Sequence, residues 1–241
     1  SEYILSLGQE AYIPNFFCKA YRPVLYIPSK EEVKELLQKM DIRTSHNSEQ
    51  FRLDRECKIL FLLYFCCGLR LSEGRLLKWE HIDLDKGILT VLGSKGNKDR
   101  LVYLPQDSLP VLKNYKERQE MLFPGIDWAF PGKDPHKPVS CSGVESSFNR
   151  HWAMLPVART VDKHPTPHCL RHAFVVERFN EWMHQGIDTN TMLPYLSRYL
   201  GHKSPDETYY YYHLAGKAFD TIREKDSVSG KVIPEVIPYE E

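Results

Sequence analysis

The chain has 241 residues, 42% of them hydrophobic and 27% charged, an ordinary globular balance that excludes a collagen-like or wholly disordered protein. Thirty-two basic and thirty-two acidic side chains cancel, so no overall positive field announces a nucleic-acid binder and the distribution of charge has to decide. Residues 224–241 hold five acids against two lysines, which leaves a slightly basic body and an acidic tail. None of the six cysteines forms a C-x-x-C pair, and the longest apolar run, Ile59 to Leu69, is far shorter than the ~20 residues of a membrane span. A reduced, cytoplasmic protein without a membrane partner is expected.

Residues 1–28 mix aromatic residues with Pro14, Pro23 and Pro28 without a sustained period and read as a linker or the end of something missing. Ser29-Lys30-Glu31-Glu32 is a capping box that opens a helix carrying Val33, Leu36, Leu37 and Met40 at helical spacing. Asp54 to Cys67 reads as a buried helix closed by Gly68, and Ser72 to Trp79 as a short third one. The period then changes: Ile88 to Leu92 and Leu101 to Leu104 are β-type runs flanking a polar hairpin tip from Gly93 to Arg100. Helical patterns return at Ser108 to Leu122, Gly143 to Leu155, His168 to Gln185, Thr191 to Leu200 and Pro205 to Leu214. The fold class is therefore mainly α with a small antiparallel β-sheet.

Four features bear on chemistry. Arg70 stands where a buried helix ends, so it either caps that helix's carbonyls or grips an anion. Lys95 and Lys98 lie on the hairpin tip, where solvated lysines are common. His168 and Arg171, three apart near a helix start, project from one face as an oxyanion clamp; a metal pair of His168 and His172 is the weaker reading, because Arg171 between them repels a cation. Four tyrosines, Tyr209 to Tyr212, follow His202, and at ~100° per residue one or two of them can face a site. A phenol attacks well only if cations favour its phenolate, and Arg70, Arg171 and Lys95 are the candidates for that field.

These residues together resemble the tyrosine recombinases, the family of phage and transposon integrases and Xer-type resolvases. G-L-R-L-S-E at 68–73, S-K-G-N-K-D-R at 94–100, H-C-L-R-H at 168–172, L-G-H at 200–202 and Y-Y-H at 211–213 stand in that family's order. The resemblance covers residues 25 to 214 and implies a catalytic domain at 25–225, preceded by a linker from a core-binding domain and followed by a tail at 226–241 that docks in a neighbouring protomer. It assigns Arg70 and Arg171, completed by His168 and His202, to the oxygens of the scissile phosphate, Lys95 to protonation of the 5′ leaving oxygen, Tyr211 to nucleophilic attack, and Glu73 to bracing the pocket.

The implied activity is site-specific recombination through a 3′-phosphotyrosine, integrating or excising a mobile element, with no metal, ATP or other cofactor. The implied partners are double-stranded DNA and further copies of the chain, a tetramer on synapsed DNA near the bacterial nucleoid. Lys98, Arg100, Arg150, Arg159, Lys163, Arg198 and Lys203 are candidates for tracking the DNA backbone. Ser94 is an extra residue relative to common members, which keeps Lys98 open as the acid, and Tyr210 and Tyr212 adjoin the assigned nucleophile. Two alternatives stay open: a type IB topoisomerase, which shares the chemistry, and a silent DNA-binding module.

Overall fold

The computed structural model describes residues 26–42, 47–94, 98–161 and 164–211. Helix α1 (Lys30–Lys39) begins at the capping box, with Glu32 N donating to Ser29 Oγ at 3.2 Å and Ser29 N donating to Glu32 Oε2 at 2.8 Å. Helix α2 (Ser48–Cys67) starts six residues before the apolar period does, because the Asn47 side chain accepts from the N–H groups of Glu49 and Gln50 and fixes the entry. Its 20 residues, ~30 Å at the helical rise, form the axis of the domain. Leu53, Cys57, Leu60, Phe61, Leu63, Tyr64 and Cys67 are all buried along it.

Helix α3 (Leu71–Arg75) stops short of the expected Trp79, which sits instead in a 3₁₀ turn at Trp79–His81. A sheet of order β1-β2-β3, antiparallel throughout, joins β1 (Ile82–Asp83), β2 (Ile88–Ser94) and β3 (Lys98–Tyr103), with Leu89 opposite Val102 and Val91 opposite Arg100. Strand β1, only two residues long, is too brief to leave a period in the sequence. Helices α4 (Leu109–Leu122), α5 (Cys141–Trp152), α6 (Cys169–His184) and α7 (Thr189–Leu200) follow, then a single turn, α8 (Asp206–Tyr209). The expected continuation of this last helix to Leu214, the linker at 1–24 and the tail at 226–241 lie outside the described residues. No helix among the described residues is long and apolar enough to cross a membrane.

Two apolar cores result. The larger surrounds α2 with α1, the sheet and α5; the smaller lies between α6 and α7, where Phe174, Val175, Phe179, Leu193, Leu196 and Leu200 meet Tyr211. Helix α6 serves both: Cys169 and Leu170 face the first core and Phe174 onward the second, which leaves Arg171 and His172 at the seam. Gly68, in the left-handed region at φ 63°, closes α2 and lets it approach α6, since a Cβ there would lie 2.6 Å from Phe174 Cδ1 and 3.0 Å from Leu200 Cδ2. Gly68→Ala should therefore destabilise the domain by more than ~2 kcal/mol, combining left-handed backbone strain with the clash. Urea denaturation checks this, and a loss under ~0.5 kcal/mol would mean that Phe174 swings aside.

Candidate active site

The site is built from the ends of two helices. Both α2 and α7 finish on a left-handed glycine, Gly68 and Gly201, where the last-turn carbonyls have no partner inside the helix. Arg171, in the first turn of α6, reaches both: one terminal nitrogen donates to the Gly68 carbonyl, and the other to that of Leu200 at 2.8 Å. Arg70 Nη2 donates to the Gly201 carbonyl at 2.7 Å. Arg70 is thus a helix-capping arginine, but it caps α7 and not the helix it follows. Two cations from distant parts of the chain meet at the negative poles of two helices.

Glu73 holds them in place. Its carboxylate accepts from Arg70 Nη1 at 2.8 Å, from the Arg70 backbone N–H at 2.7 Å, and from both terminal nitrogens of Arg100 at 2.8 and 2.7 Å, with Arg171 Nη1 at 3.9 Å. Burial opposes its ionisation, yet the hydrogen bonds from Arg100 and the Arg70 backbone, together with the Arg100 charge, win and hold the carboxyl down at about 2. Arg100, expected on the DNA-tracking surface, has a side chain only 9% exposed and committed to this carboxylate. Arg150, expected there too, pairs with buried Asp54 at 2.8 Å beside Ser147 Oγ and fastens α5 to α2. A charge pattern on one strand of sequence does not distinguish a surface arginine from one whose acid partner folds over it. Arg159, Arg198 and Lys203 are exposed, while Lys95, Lys163 and the side chain of Lys98 lie outside the described residues.

His202 Nε2 lies 3.1 Å from Arg171 Nη2, and its Nδ1 lies 2.7 Å from Thr208 Oγ1. A guanidinium only donates, so Nε2 accepts and Nδ1 carries the proton to Thr208. Burial first and the Arg171 charge second hold this imidazole down to about 4, hence neutral. In this arrangement His202 orients Arg171 and has no proton left to offer an anion. His168 is exposed at the mouth of the site and sits below its ordinary imidazole value through desolvation and then the repulsion of Arg171 and Arg70. Its ring stands edge-on to His172, centroids 4.6 Å apart.

His172 Nδ1 in turn lies 2.5 Å from the hydroxyl of Tyr211. Of the tyrosines, Tyr209 is 44% exposed and Tyr211 only 6%, with Tyr210 edge-on against it and Tyr212 outside the described residues. Among the described residues burial raises the Tyr211 hydroxyl to about 12, and Arg171, pulling the other way, does not offset it; Lys95, expected to add to the same field, lies outside the described residues. The sequence suggests His172 only as a metal partner of His168 and does not single out Thr208. The i, i+4 histidine spacing of 168 and 172 was the available signal for the first; nothing marks a threonine inside an aromatic run. Arg70, its side chain 20% exposed, spends two of five side-chain N–H groups internally and can turn the others to an anion.

Comparison with known proteins now bears on this geometry. Residues 29–217 match the phage integrase family. The chain is 32% identical over 191 residues to tyrosine recombinase XerA of Pyrococcus furiosus, covering 78% of this chain and 57% of that one. It is also 32% identical over 190 residues to tyrosine recombinase XerC of Alcanivorax borkumensis, covering 78% and 56%. The chain thus spans a little over half the length of these relatives. Among solved structures, the XerH site-specific recombinase bound to palindromic difH substrate in a post-cleavage complex superposes with a TM-score of 0.65 at 21% identity, over 90% of this chain and 60% of that one. The XerA recombinase gives 0.62 at 21% identity, over 94% and 72%. At that identity these two carry the fold alone.

Proposed function

The chain belongs to the phage integrase family, and we propose that it is the part of a site-specific recombinase that cuts and rejoins double-stranded DNA through a 3′-phosphotyrosine, integrating or excising a mobile element. The observation that carries this reading is the meeting of Arg70, Arg171, His202 and the His172–Tyr211 pair around two helix ends. An attacked phosphodiester gathers negative charge on its non-bridging oxygens, and cations fixed beforehand at that place act where the charge develops. Arg70 and Arg171 supply those cations, with His168 at the exposed side. Tyr211 attacks phosphorus in line, the 5′ oxygen departs with a proton from Lys95, and the phosphotyrosine keeps the bond energy for a second strand's hydroxyl to reclaim. Arg159, Arg198 and Lys203 follow the backbone outside the pocket. Further copies of the chain assemble on the paired DNA sites, up to a tetramer.

The test uses duplexes from the DNA flanking its own coding locus, nicked just beyond the candidate scissile phosphate so that cleavage cannot reverse. A detergent-stable protein–DNA adduct with a free 5′ hydroxyl is expected, its DNA-bearing peptide spanning Tyr211. Absence of any adduct from duplexes that the protein binds specifically would overturn the reading in favour of a DNA-binding module.

A further inference from the structure

The Tyr211 hydroxyl has to lose a proton as it attacks, and within the described residues the atom it touches is Nδ1 of His172, 2.5 Å away. This imidazole follows Arg171 directly, so the two side chains leave α6 ~100° apart: the guanidinium turns to the helix ends and the ring to the phenol. His172 is 8% exposed and Tyr211 6%, so bulk water is a poor alternative acceptor. A phenol is the more acidic partner of such a pair, which makes the hydroxyl the donor and Nδ1 the acceptor.

We propose that His172 receives the Tyr211 proton during attack on the phosphate, which makes it a catalytic residue beside the two arginines. The inference rests on the phosphotyrosine reading and adds the fate of one proton. The Oη–H bond breaks as Oη bonds to phosphorus, the phosphorus–O5′ bond breaks with a proton supplied from Lys95, and His172 is left as imidazolium. When a 5′ hydroxyl later attacks the phosphotyrosine, Oη leaves and takes that proton back, so the ring returns to its starting form.

The surroundings regulate the step. Facing His172 are His168 and Arg171 of the same helix, His202 beyond α7 and Tyr211 after α8, with Tyr210 and Glu207 close to the phenol. Burial first, then His168, Arg171 and His202, hold the imidazole down to about 3 while Tyr211 stands at about 12. With the imidazole lowered and the phenol raised, the proton stays on oxygen at rest. A phosphate seated beside Arg171 and His168 brings negative charge that opposes the part of this depression due to those neighbours, while the burial part remains, so DNA makes the acceptor more basic than it is in the unoccupied site.

The experiment is single-turnover cleavage of the nicked duplex by wild type, His172→Phe and His172→Asn, with DNA affinity and melting temperature measured for each. His172→Phe should be slower by ~10²–10⁴-fold at neutral pH. Its rate should also rise about tenfold per pH unit between about pH 6 and 8, because phenolate must then come from solvent, whereas wild type stays nearly flat. His172→Asn, whose amide oxygen can accept the hydrogen bond but is far too weak a base to take the proton, should stay within about threefold of His172→Phe, and a recovery of about tenfold or more would reduce His172 to a positioning residue and overturn the proposal. A His172→Phe rate within about threefold of wild type, or a slow rate with an unchanged pH profile, overturns the proposal. Nitrogen-15 spectra of the wild-type histidines give an independent check, since a protonated Nδ1 on His172 would overturn it also. If wild type itself forms no adduct, the phosphotyrosine reading falls as well; if it does and His172→Phe keeps pace, only the role of His172 falls.

Discussion

Tyr211→Phe is expected to reduce the covalent adduct on a nicked duplex below detection while leaving specific DNA binding within about twofold, because the substitution removes one oxygen and no phosphate contact. Of Tyr209, Tyr210 and Tyr211, the last is the one buried in the core between α6 and α7, with its hydroxyl on a ring from the arginine-bearing helix. Tyr209 turns outward and Tyr210 packs edge-on against Tyr211. Tyr210→Phe should therefore keep its adduct. The phenylalanine variant also leaves His172 Nδ1 buried without its partner, so a loss of ~1–3 kcal/mol in stability should accompany the loss of chemistry. Denaturation and adduct assays on the same preparations separate the two effects. An adduct that survives Tyr211→Phe would move the nucleophile to a neighbouring tyrosine.

Glu73→Gln should be the most damaging change to stability in the site, at ~3–5 kcal/mol, since it strands Arg70, Arg100 and Arg171 around a group without charge. The glutamine oxygen can still accept one guanidinium, but its NH₂ faces donors. Cleavage should fall by at least ~10²-fold, because Arg70 loses the bond that aims it. The pH dependence follows from the depressed acidity. A carboxyl with an ordinary value of 4.5 held at about 2 stabilises the folded state fully above about pH 4.5 and loses that contribution as the pH falls toward about 2. The shift corresponds to ~3 kcal/mol. The difference in unfolding free energy between wild type and Glu73→Gln should shrink in the same window. A difference under ~1 kcal/mol at neutral pH would show that the three arginines find other partners.

Much of the architecture could be read from the chain because its signals are local. Ser29 with Glu32 and the glycine stops at Gly68 and Gly201 act within a turn of their own helix, and each stands where the pattern puts it. The start of α2 was read six residues late because Asn47 caps a polar first turn, with the apolar face beginning only afterwards. At the site, residue types were legible and partnerships were not. Nothing near Arg100 in sequence announces Glu73, and nothing near Arg150 announces Asp54; both acids arrive through tertiary folding and turn surface candidates into braces. The acidity of Tyr211 was not legible for a related reason, since counting cations takes no account of the burial that opposes them.

The anchoring of both arginines on helix ends that close at residues 68 and 201 has a bearing on how the protein is made. A nascent chain that has not yet emerged past Gly201 holds Arg70 through Glu73 alone and Arg171 through Gly68 alone, and it lacks Tyr211 altogether. Such a chain has the cations without the second helix end that fixes them. On the proposed phosphotyrosine reading, an unfinished copy could not nick the DNA that encodes it.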